Sequence, residues 1–470
     1  MDNIILLTDS YKVSHYRQYP PKTEYVYSYF ESRGGRWQDI VFFGLQYYLK
    51  RYLAGQVVTQ EKIDEADELF AVHFGDKTLF NRSAWEYILH EHNGNLPVLI
   101  KAVPEGTPVP SFNVLMTVEN TDPACYWLTN YLETLLVQVW YASTVATQSR
   151  EMRYLITKYL NRTGTAHGVD AVDAACAFKL HDFGYRGVSS VESAGIGGAA
   201  HLISFKGTDT LAGLLFAKKY YNEPMAGYSI PAAEHSTITS WGQEHEVDAM
   251  NNMLSVFPAG TVAVVSDSFN IFEACSNLWG TQLKDTILSR NGTLVIRPDS
   301  GDPVQVLIKG QPNVFDILSE KFGYYTNDNG FKILNDKIRV IQGDGIDFET
   351  IDSILYALQQ KGYSADNITF GSGGALLQKL NRDTLKFAFK CSSIVVDGVR
   401  RDVFKNPVTD KGKQSKRGCL RLVRKDNAYY TKRFEESSES EDCLVDVFCN
   451  GNILQKYTFN EIRENAKAFY

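Results

Sequence analysis

The 470-residue chain has no apolar stretch that approaches the ~20 residues of a membrane-spanning helix. Its first residues, MDNIILLTDSYK, place only a short apolar run behind Asp2, too little for a signal peptide. The seven cysteines (Cys125, Cys176, Cys275, Cys391, Cys419, Cys443, Cys449) are odd in number, scattered and never spaced CxxC. That excludes a zinc ribbon and argues against a disulfide framework. Excess positive charge is missing too: 48 Lys and Arg against 55 Asp and Glu leave a net charge of -7, a poor match for a general nucleic-acid binder. No GxxxxGK[ST] phosphate loop occurs, so any use of ATP needs another kind of site. A chain with 44% hydrophobic and 22% charged residues is expected to be globular, and the expectation is a reduced, cytoplasmic enzyme without membrane or nucleic-acid partners. At this length two domains are expected rather than one core.

What is present is one pattern repeated seven times between Ala177 and Gly374. A short run rich in β-branched and aromatic residues stops at a polar cluster: AFKLHDFGYRG, LISFKGTD, GYSIPAAEHS, VAVVSDS, LVIRPDSG, RVIQGDG and ITFGSGG. Most are followed by helical periodicity, the signature of parallel βα units. In barrels of such units the chemistry sits on the loops after the strands. His181, Asp182, Arg186, Asp209, His235, Asp267, Arg297, Asp299, Asp344 and Gly373–Gly374 should therefore converge on one pocket.

Outside this stretch the pattern changes. Helical periodicity covers about Val41 to Leu53, Gln60 to Phe74, and Trp127 to Tyr159 with a joint or break near Thr144. Leu96 to Asn120 reads as antiparallel strands punctuated by Pro and Gly. From Phe387 onward short strands return. The expected architecture is an irregular α/β barrel of about seven parallel strands over residues 151–386. A discontinuous β-rich domain is expected from residues 1–150 and 387–470. Lys405 to Gly418 and the acidic Glu435 to Asp442 read as solvated loops. Gly195-Ile-Gly197-Gly-Ala-Ala200 fits a dinucleotide fingerprint but has no strand before it, so a close-packed helix is expected there.

Several junctions suit specific chemistry. The glycines of GDGID (Gly343 to Asp347) and FGSGG (Phe370 to Gly374) let backbone amides approach a phosphate. Arg382, one or two helical turns beyond Gly374, and then Lys390 would add positive charge. Arg297 and Asp299, two apart at a strand end, face the same way. The carboxylate can take a ribose diol and the guanidinium can hold an anion or stack on a ring. His235, beside Glu234 and ahead of a helix start, could be oriented by Asp267 as a nucleophile.

Together these junctions closely resemble the nicotinamide phosphoribosyltransferases, a branch of the type II phosphoribosyltransferases. So do LLTDSYKVSHYRQYP, KAVPEGTPVP, VENTDPACYWLTNYLETLLVQVWY and FKNPV, and the likeness covers nearly the whole chain. The resemblance implies a homodimer with active sites at the interface. The reaction would be nicotinamide plus 5-phosphoribosyl-1-pyrophosphate to nicotinamide mononucleotide and pyrophosphate, in NAD salvage. It further implies Mg2+ and ATP hydrolysis coupled through a phosphohistidine. By that likeness His235 is the phosphorylated residue, flanked by Asp267 and Glu234. Phe183 stacks on nicotinamide, and Tyr11, with Asp9 nearby, covers the other face from the second subunit. Asp209 accepts the amide N–H, Arg297 lies beside the ring, and Asp299, Gly343 and Asp344 line the ribose. Arg186, Gly373, Gly374 and Arg382 match the 5′-phosphate site. Arg33, Lys390, Lys405 and Lys413 match the basic residues around pyrophosphate and ATP. The Mg2+ ligands are not assigned. Two departures concern the details: the chain is shorter after Arg33 than vertebrate members, and Ala263 stands where some relatives carry Ser. Gly164 to Ala177 has no assigned role. Nicotinate phosphoribosyltransferase is the nearest alternative, and Asp209 argues against it, because a carboxylate there would face the carboxylate of nicotinate. A purely extracellular binding role finds no signal peptide or disulfide pattern in its favour.

Overall fold

The computed structural model describes residues 3–409 and 414–467. Their contacts fall into two compact units. The first comprises Met1–Thr147, Lys219–Glu223 and Asn381–Tyr470; the second comprises Gln148–Lys218 and Pro224–Leu380.

The first unit is built on a seven-stranded sheet drawn from both ends of the chain. In spatial order its strands are Val399–Asp402, Phe387–Val396, Thr23–Ser32, Val114–Asn120, Val98–Ala102, Val445–Cys449 and Asn452–Ile453. All pair antiparallel. The interior strand Thr23–Ser32 is buried along most of its length, with Phe30 opposite Phe389 and Met116 and stacked on Phe387 at 5.1 Å. A separate hairpin, Leu420–Lys425 with Ala428–Arg433, turns through Asp426 and Asn427. Both have positive φ, as the tight turns that suit strand twist require.

Helix Gln60–Phe74 forms as its periodicity predicts, capped by Thr59. Near Thr144, where the sequence leaves a joint or a break open, the helix is joined, and the breaks come earlier. Short helices Leu128–Tyr131 and Glu133–Leu136 precede one unbroken helix, Val139–Thr163, that runs straight through Thr144. Thr144 and Thr147 hydrogen-bond the carbonyls of Trp140 and Ser143, which lets β-branched polar residues sit inside a buried helix.

One buried acid organises part of this unit. The Glu105 carboxylate accepts the N–H groups of Gly44 and Gln46, at 3.2 and 2.6 Å, and the Tyr221 hydroxyl at 2.9 Å. Burial pushes its pKa up to about 7, against the pull of these donors.

The second unit holds six parallel strands in the order Gly207–Thr208, Leu180–Asp182, Ile368–Ser372, Ile338–Gln342, Leu294–Arg297 and Val262–Val265. Helices follow them, among them Val191–His201, Leu211–Tyr221, Glu246–Val256 and Phe348–Gln360. The third expected strand, GYSIPAA, does not form a ladder. It makes single parallel bridges instead, Tyr228 to Gly207 on one side and Ala232 to Ala263 on the other. Pro231 has no N–H to continue a ladder, although its carbonyl still accepts from Ala263 at 2.9 Å. The segment thus spans the two edge strands, and the barrel has six regular strands and one irregular one. The glycine-rich lookalike lies within helix Val191–His201. There a Cβ on Gly198 would stand 3.1 Å from the Gly213 Cα, so the glycines serve close helix packing. Lys179 is buried at the foot of the barrel, its ammonium bonded to the carbonyls of Ala365, Asp366 and Ile368 at 2.9–3.0 Å. Burial lowers its pKa to about 8.

The folded-state pKa of Glu105 lies above the ordinary 4.5, so the native protein keeps a proton that the unfolded chain releases. Its stabilising share is complete below about pH 4.5 and is lost as pH rises through about 7, roughly 3 kcal/mol in all. Urea midpoints measured at pH 5 and pH 8 should fall more in the parent than in Glu105→Gln, which cannot titrate.

Candidate active site

The ends of the barrel strands converge on two contiguous cavities, both lined entirely from the second unit. The inner one, about 280 Å3, is largely apolar and includes Phe178, Phe183, Ile230, Val295 and Ile341. The outer one, about 550 Å3, is polar and includes Arg186, Arg297, Asp299, Asp344, Gly373 and Gly374. Phe183, Asp209 and Ala232 line both.

Phe183 is set by backbone geometry. Its N–H extends the ladder past Asp182 by donating to the Ser372 carbonyl at 2.9 Å. The ring packs against Ala263, Val295 and Ile341. It passes so close to Gly371 that a Cβ there would lie 2.0 Å from Cε2, so residue 371 has to be glycine for the ring to be where it is. The Arg297 guanidinium sits 5.3 Å from the ring centroid. It also binds Asp299 through two hydrogen bonds, of 3.1 and 2.7 Å. Both residues are over four-fifths buried, so this is no loose surface pair. Each Asp299 oxygen keeps a further lone pair for a ligand hydroxyl.

Asp209, where the cavities meet, is held from two sides at one oxygen. His181 Nε2 lies 3.0 Å from Oδ1, and the Ser229 hydroxyl donates to the same atom. Burial opposes the charge on Asp209. The bonds from His181 and Ser229, with the Arg297 charge, outweigh it and set the pKa below the usual carboxylate value. Asp182, wholly buried next to it, accepts the Gly184 N–H at 2.7 Å and so shapes the loop that carries Phe183 and Arg186. Its pKa is pushed up to about 6 by burial.

His235 projects half-exposed beside a nearly buried Asp267, with Nε2 3.1 Å from Oδ1. The other Asp267 oxygen accepts the Asp299 N–H at 3.0 Å and the Ser300 hydroxyl. Asp267 therefore ties the His235 loop to the Arg297–Asp299 loop. Glu234 is the residue ahead of the helix but turns its carboxylate to the Ser236 hydroxyl. Asp267 is thus the carboxylate bonded to the imidazole. That helix, His235–Thr239, is only five residues long, so its dipole is weaker than the sequence suggests.

The glycine turns suit an anion. Gly373 and Gly374 open the short helix Gly374–Leu377, and among the described residues no acceptor takes either N–H. A Cβ on Gly374 would meet nothing within 4 Å, so its backbone is open to a close-lying group. The exposed Arg186 lines the same cavity. Arg382 is a correction. It does not continue that helix, which ends at Leu377, but starts a separate turn, Arg382–Thr384, in the first unit.

The remaining expected residues also lie in the first unit. Tyr11 is 60% exposed on the short helix Ser10–Arg17. Asp9 precedes it and accepts the Thr134 hydroxyl at 2.7 Å. Arg33 is fixed by Glu31 at 2.7 Å. Lys390 has its pKa lowered, first by burial and then by the charges of Arg33, Arg382 and Lys12, against the pull of Glu133. Those cations therefore share one neighbourhood. Lys12, paired with Glu133 at 2.6 Å, was missed from sequence, although it adjoins Tyr11 in TDSYK. Ser229 and Gly371 were missed as well, since a lone Ser or Gly carries no signal until the fold shows what it touches. Lys405 is exposed, its N–H bonded to the Ser415 hydroxyl at 2.8 Å. Lys413 lies outside the described residues.

Residues 178–452, more than half of the chain and nearly all of this site, match the nicotinate phosphoribosyltransferase (NAPRTase) family. The chain belongs to that family. Residues 3–100 match the nicotinamide phosphoribosyltransferase N-terminal domain. Among its relatives is a nicotinamide phosphoribosyltransferase of Xanthomonas campestris pv. campestris, 50% identical over 100% of this chain and 99% of that protein. Another, from Acinetobacter baylyi and of the same name, is 34% identical over 97% of this chain and 95% of that one. A crystal structure of nicotinate-nucleotide pyrophosphorylase from Pyrococcus furiosus shares the fold. It has a TM-score of 0.61 at 16% identity and covers 99% of this chain and 95% of that one. As a family member the protein is a phosphoribosyltransferase, an enzyme of the glycosyltransferase type. Among the described residues no helix is long and apolar enough to cross a membrane.

Gly371→Ala should drive the Phe183 ring from its seat. Overpacking of this kind typically costs about 1–3 kcal/mol. A lower melting temperature together with a raised KM for the base, while KM for the phosphoribosyl donor changes little, would separate displacement of the ring from general damage.

Proposed function

We propose that this enzyme joins nicotinamide to 5-phosphoribosyl-1-pyrophosphate, giving nicotinamide mononucleotide and pyrophosphate for NAD biosynthesis. The observation that carries the base assignment is Asp209: an ionised carboxylate at the junction of the two cavities, with Oδ1 saturated by His181 and Ser229. Oδ2 is left to accept the amide N–H of nicotinamide. Nicotinate would bring its own carboxylate to the same place, and two charges about 4 Å apart repel by about 4 kcal/mol at a part-buried site. The names of the relatives support the same choice.

In this reading the inner cavity takes the base against Phe183, and the outer cavity takes the phosphoribosyl group. Asp299 accepts the ribose hydroxyls, while Gly373, Gly374 and Arg186 receive the 5′-phosphate. The pyridine nitrogen has no proton to lose, so the C1–N bond forms without a general base as the C1–pyrophosphate bond breaks. Catalysis is positioning plus stabilisation of the leaving pyrophosphate. Tyr11 would cover the second face of the base, and Arg33, Lys390 and Arg382 would meet the polyphosphate, some of them from the partner in a homodimer. Asp344 has no side-chain partner among the described residues, and its oxygens suit a Mg2+ ion held mainly by pyrophosphate. Such an ion would supply charge neutralisation. His235, kept in one orientation by Asp267, would take the γ-phosphoryl of ATP, coupling hydrolysis to transfer.

Asp209→Ser should lower the nicotinamide-to-nicotinate ratio of kcat/KM by about two orders of magnitude, a little under the repulsion it relieves. Competition kinetics with both bases measures this, and an unchanged ratio would remove Asp209 from base selection. His235→Ala should abolish ATP hydrolysis and the incorporation of acid-labile phosphate from γ-labelled ATP. Basal nicotinamide mononucleotide formation should persist without ATP stimulation. Hydrolysis at the parental rate would exclude His235 as the phosphoryl carrier.

A further inference from the structure

The first unit contains a cluster that the transferase chemistry does not use. Helix Arg82–Glu91 ends at His92, and strand Val114–Asn120 runs out into the turn Asp122-Pro-Ala-Cys125. That turn is a 3-10 helix over Pro123–Cys125, in which residues three apart stand over one another. The imidazole, carboxylate and thiol of His92, Asp122 and Cys125 consequently face one point, with one ligand atom of each within 4.8 Å of the others. Cys125 is fully buried, and His92 and Asp122 are about four-fifths buried.

We propose that His92, Asp122 and Cys125 form a binding site for a thiophilic divalent cation of the zinc class. One nitrogen, one oxygen and one sulfur make a donor set that suits such an ion, leaving one position for water or the nearby Tyr87 hydroxyl. The carboxylate is already oriented. Oδ1 accepts the Ala124 N–H at 2.8 Å, while Oδ2 is aimed at His92 Nε2, 2.8 Å away, and also accepts the Tyr87 hydroxyl at 3.0 Å. Fixing of the ligand from outside the coordination sphere is what a metal site requires. The proton now shared between Oδ2 and Nε2 sits where the cation would sit. Charge balance favours the exchange: a dication with one carboxylate, one thiolate and one neutral imidazole is net neutral, which limits the penalty for burying it. To reach bond lengths of ~2.0–2.3 Å the Cys125 sulfur must draw in by about 1 Å, while His92 Nε2 and Asp122 Oδ2, now 2.8 Å apart, must open by about 0.5 Å.

On binding, the Cys125 S–H bond breaks, a metal–sulfur bond forms and the thiol proton leaves to solvent. The neutral imidazole moves its proton from Nε2 to Nδ1, and no redox change occurs. The site would staple the end of helix Arg82–Glu91 to the turn after Val114–Asn120. It is separate from every residue assigned to transfer.

Cobalt(II) alone is a suitable probe, because its thiolate complexes absorb in the near ultraviolet and tetrahedral sites absorb in the visible. The full-length protein should take up one equivalent with both bands, release about one proton per ion at pH 8, and lose the bands to an equivalent of Zn2+. Cys125→Ser should lose the thiolate band. His92→Gln keeps a donor for Asp122 and changes only a partly exposed position, so it should fold. It should lose at least tenfold in affinity and retain parental transfer activity. In the parent alone, Zn2+ should raise the melting temperature. An unchanged cobalt spectrum in both variants, or no uptake by the folded parent at micromolar cobalt, would overturn the proposal and leave a hydrogen-bonded cluster only.

Discussion

The site depends on how the barrel closes. Six strands form regular ladders, and the gap between Gly207–Thr208 and Val262–Val265 is spanned by residues that bond to each side only at single points. Tyr228 exchanges backbone bonds with Lys206 and Thr208, while Pro231 and Ala233 bond to Ala263. A full ladder would hold this segment flat against its neighbours. The broken one lets Ser229 reach Asp209 and sends Glu234 and His235 over the mouth. An irregular strand thus places both the group proposed to choose the base and the group proposed to carry phosphate.

Charge around the mouth is arranged in linked pairs rather than as an open field. His181 holds Asp209, Arg297 holds Asp299, and Asp267 bonds both His235 and the Asp299 backbone. Each pair fixes a side chain before any ligand arrives, which reduces the ordering cost of binding. Among the described residues the glycine N–H groups and Arg186 have no such partners, and they suit an incoming anion.

Much of this was legible in the residues, and for a physical reason. Strand ends in a parallel barrel announce themselves as apolar runs cut off by polar clusters, so Arg186, Asp209, Asp267, Arg297, Asp299 and Gly374 could be drawn toward one pocket from spacing alone, whereas Phe183 came only from the family resemblance. The long-range geometry could not be read. Nothing local in FGSGG says that residue 371 lies under an aromatic ring set by a strand nearly 190 residues earlier. Arg382 looked continuous with Gly374 because sequence distance is silent about where a helix of four residues stops. Near Thr144 the periodicity left a joint or a break open; the helix runs on there, and the buried Thr144 hydroxyl is satisfied by the Trp140 carbonyl of the same helix.

The way the chain shuttles between units bears on its synthesis. The strand Thr23–Ser32 is made early, but one of its two partners, Phe387–Val396, is among the last hundred residues to be made. All the residues of the barrel unit have been made by Leu380, whereas the older sheet still lacks a neighbour. Until then the N-terminal third of the molecule carries an unpaired, mostly apolar edge, the kind of surface that invites association with other chains. A nascent chain of this topology therefore spends most of its translation time with its first-made part unfinished. Premature termination between Leu380 and Phe387 would leave a product with a complete barrel sequence and an open sheet, a natural substrate for chaperones and proteases.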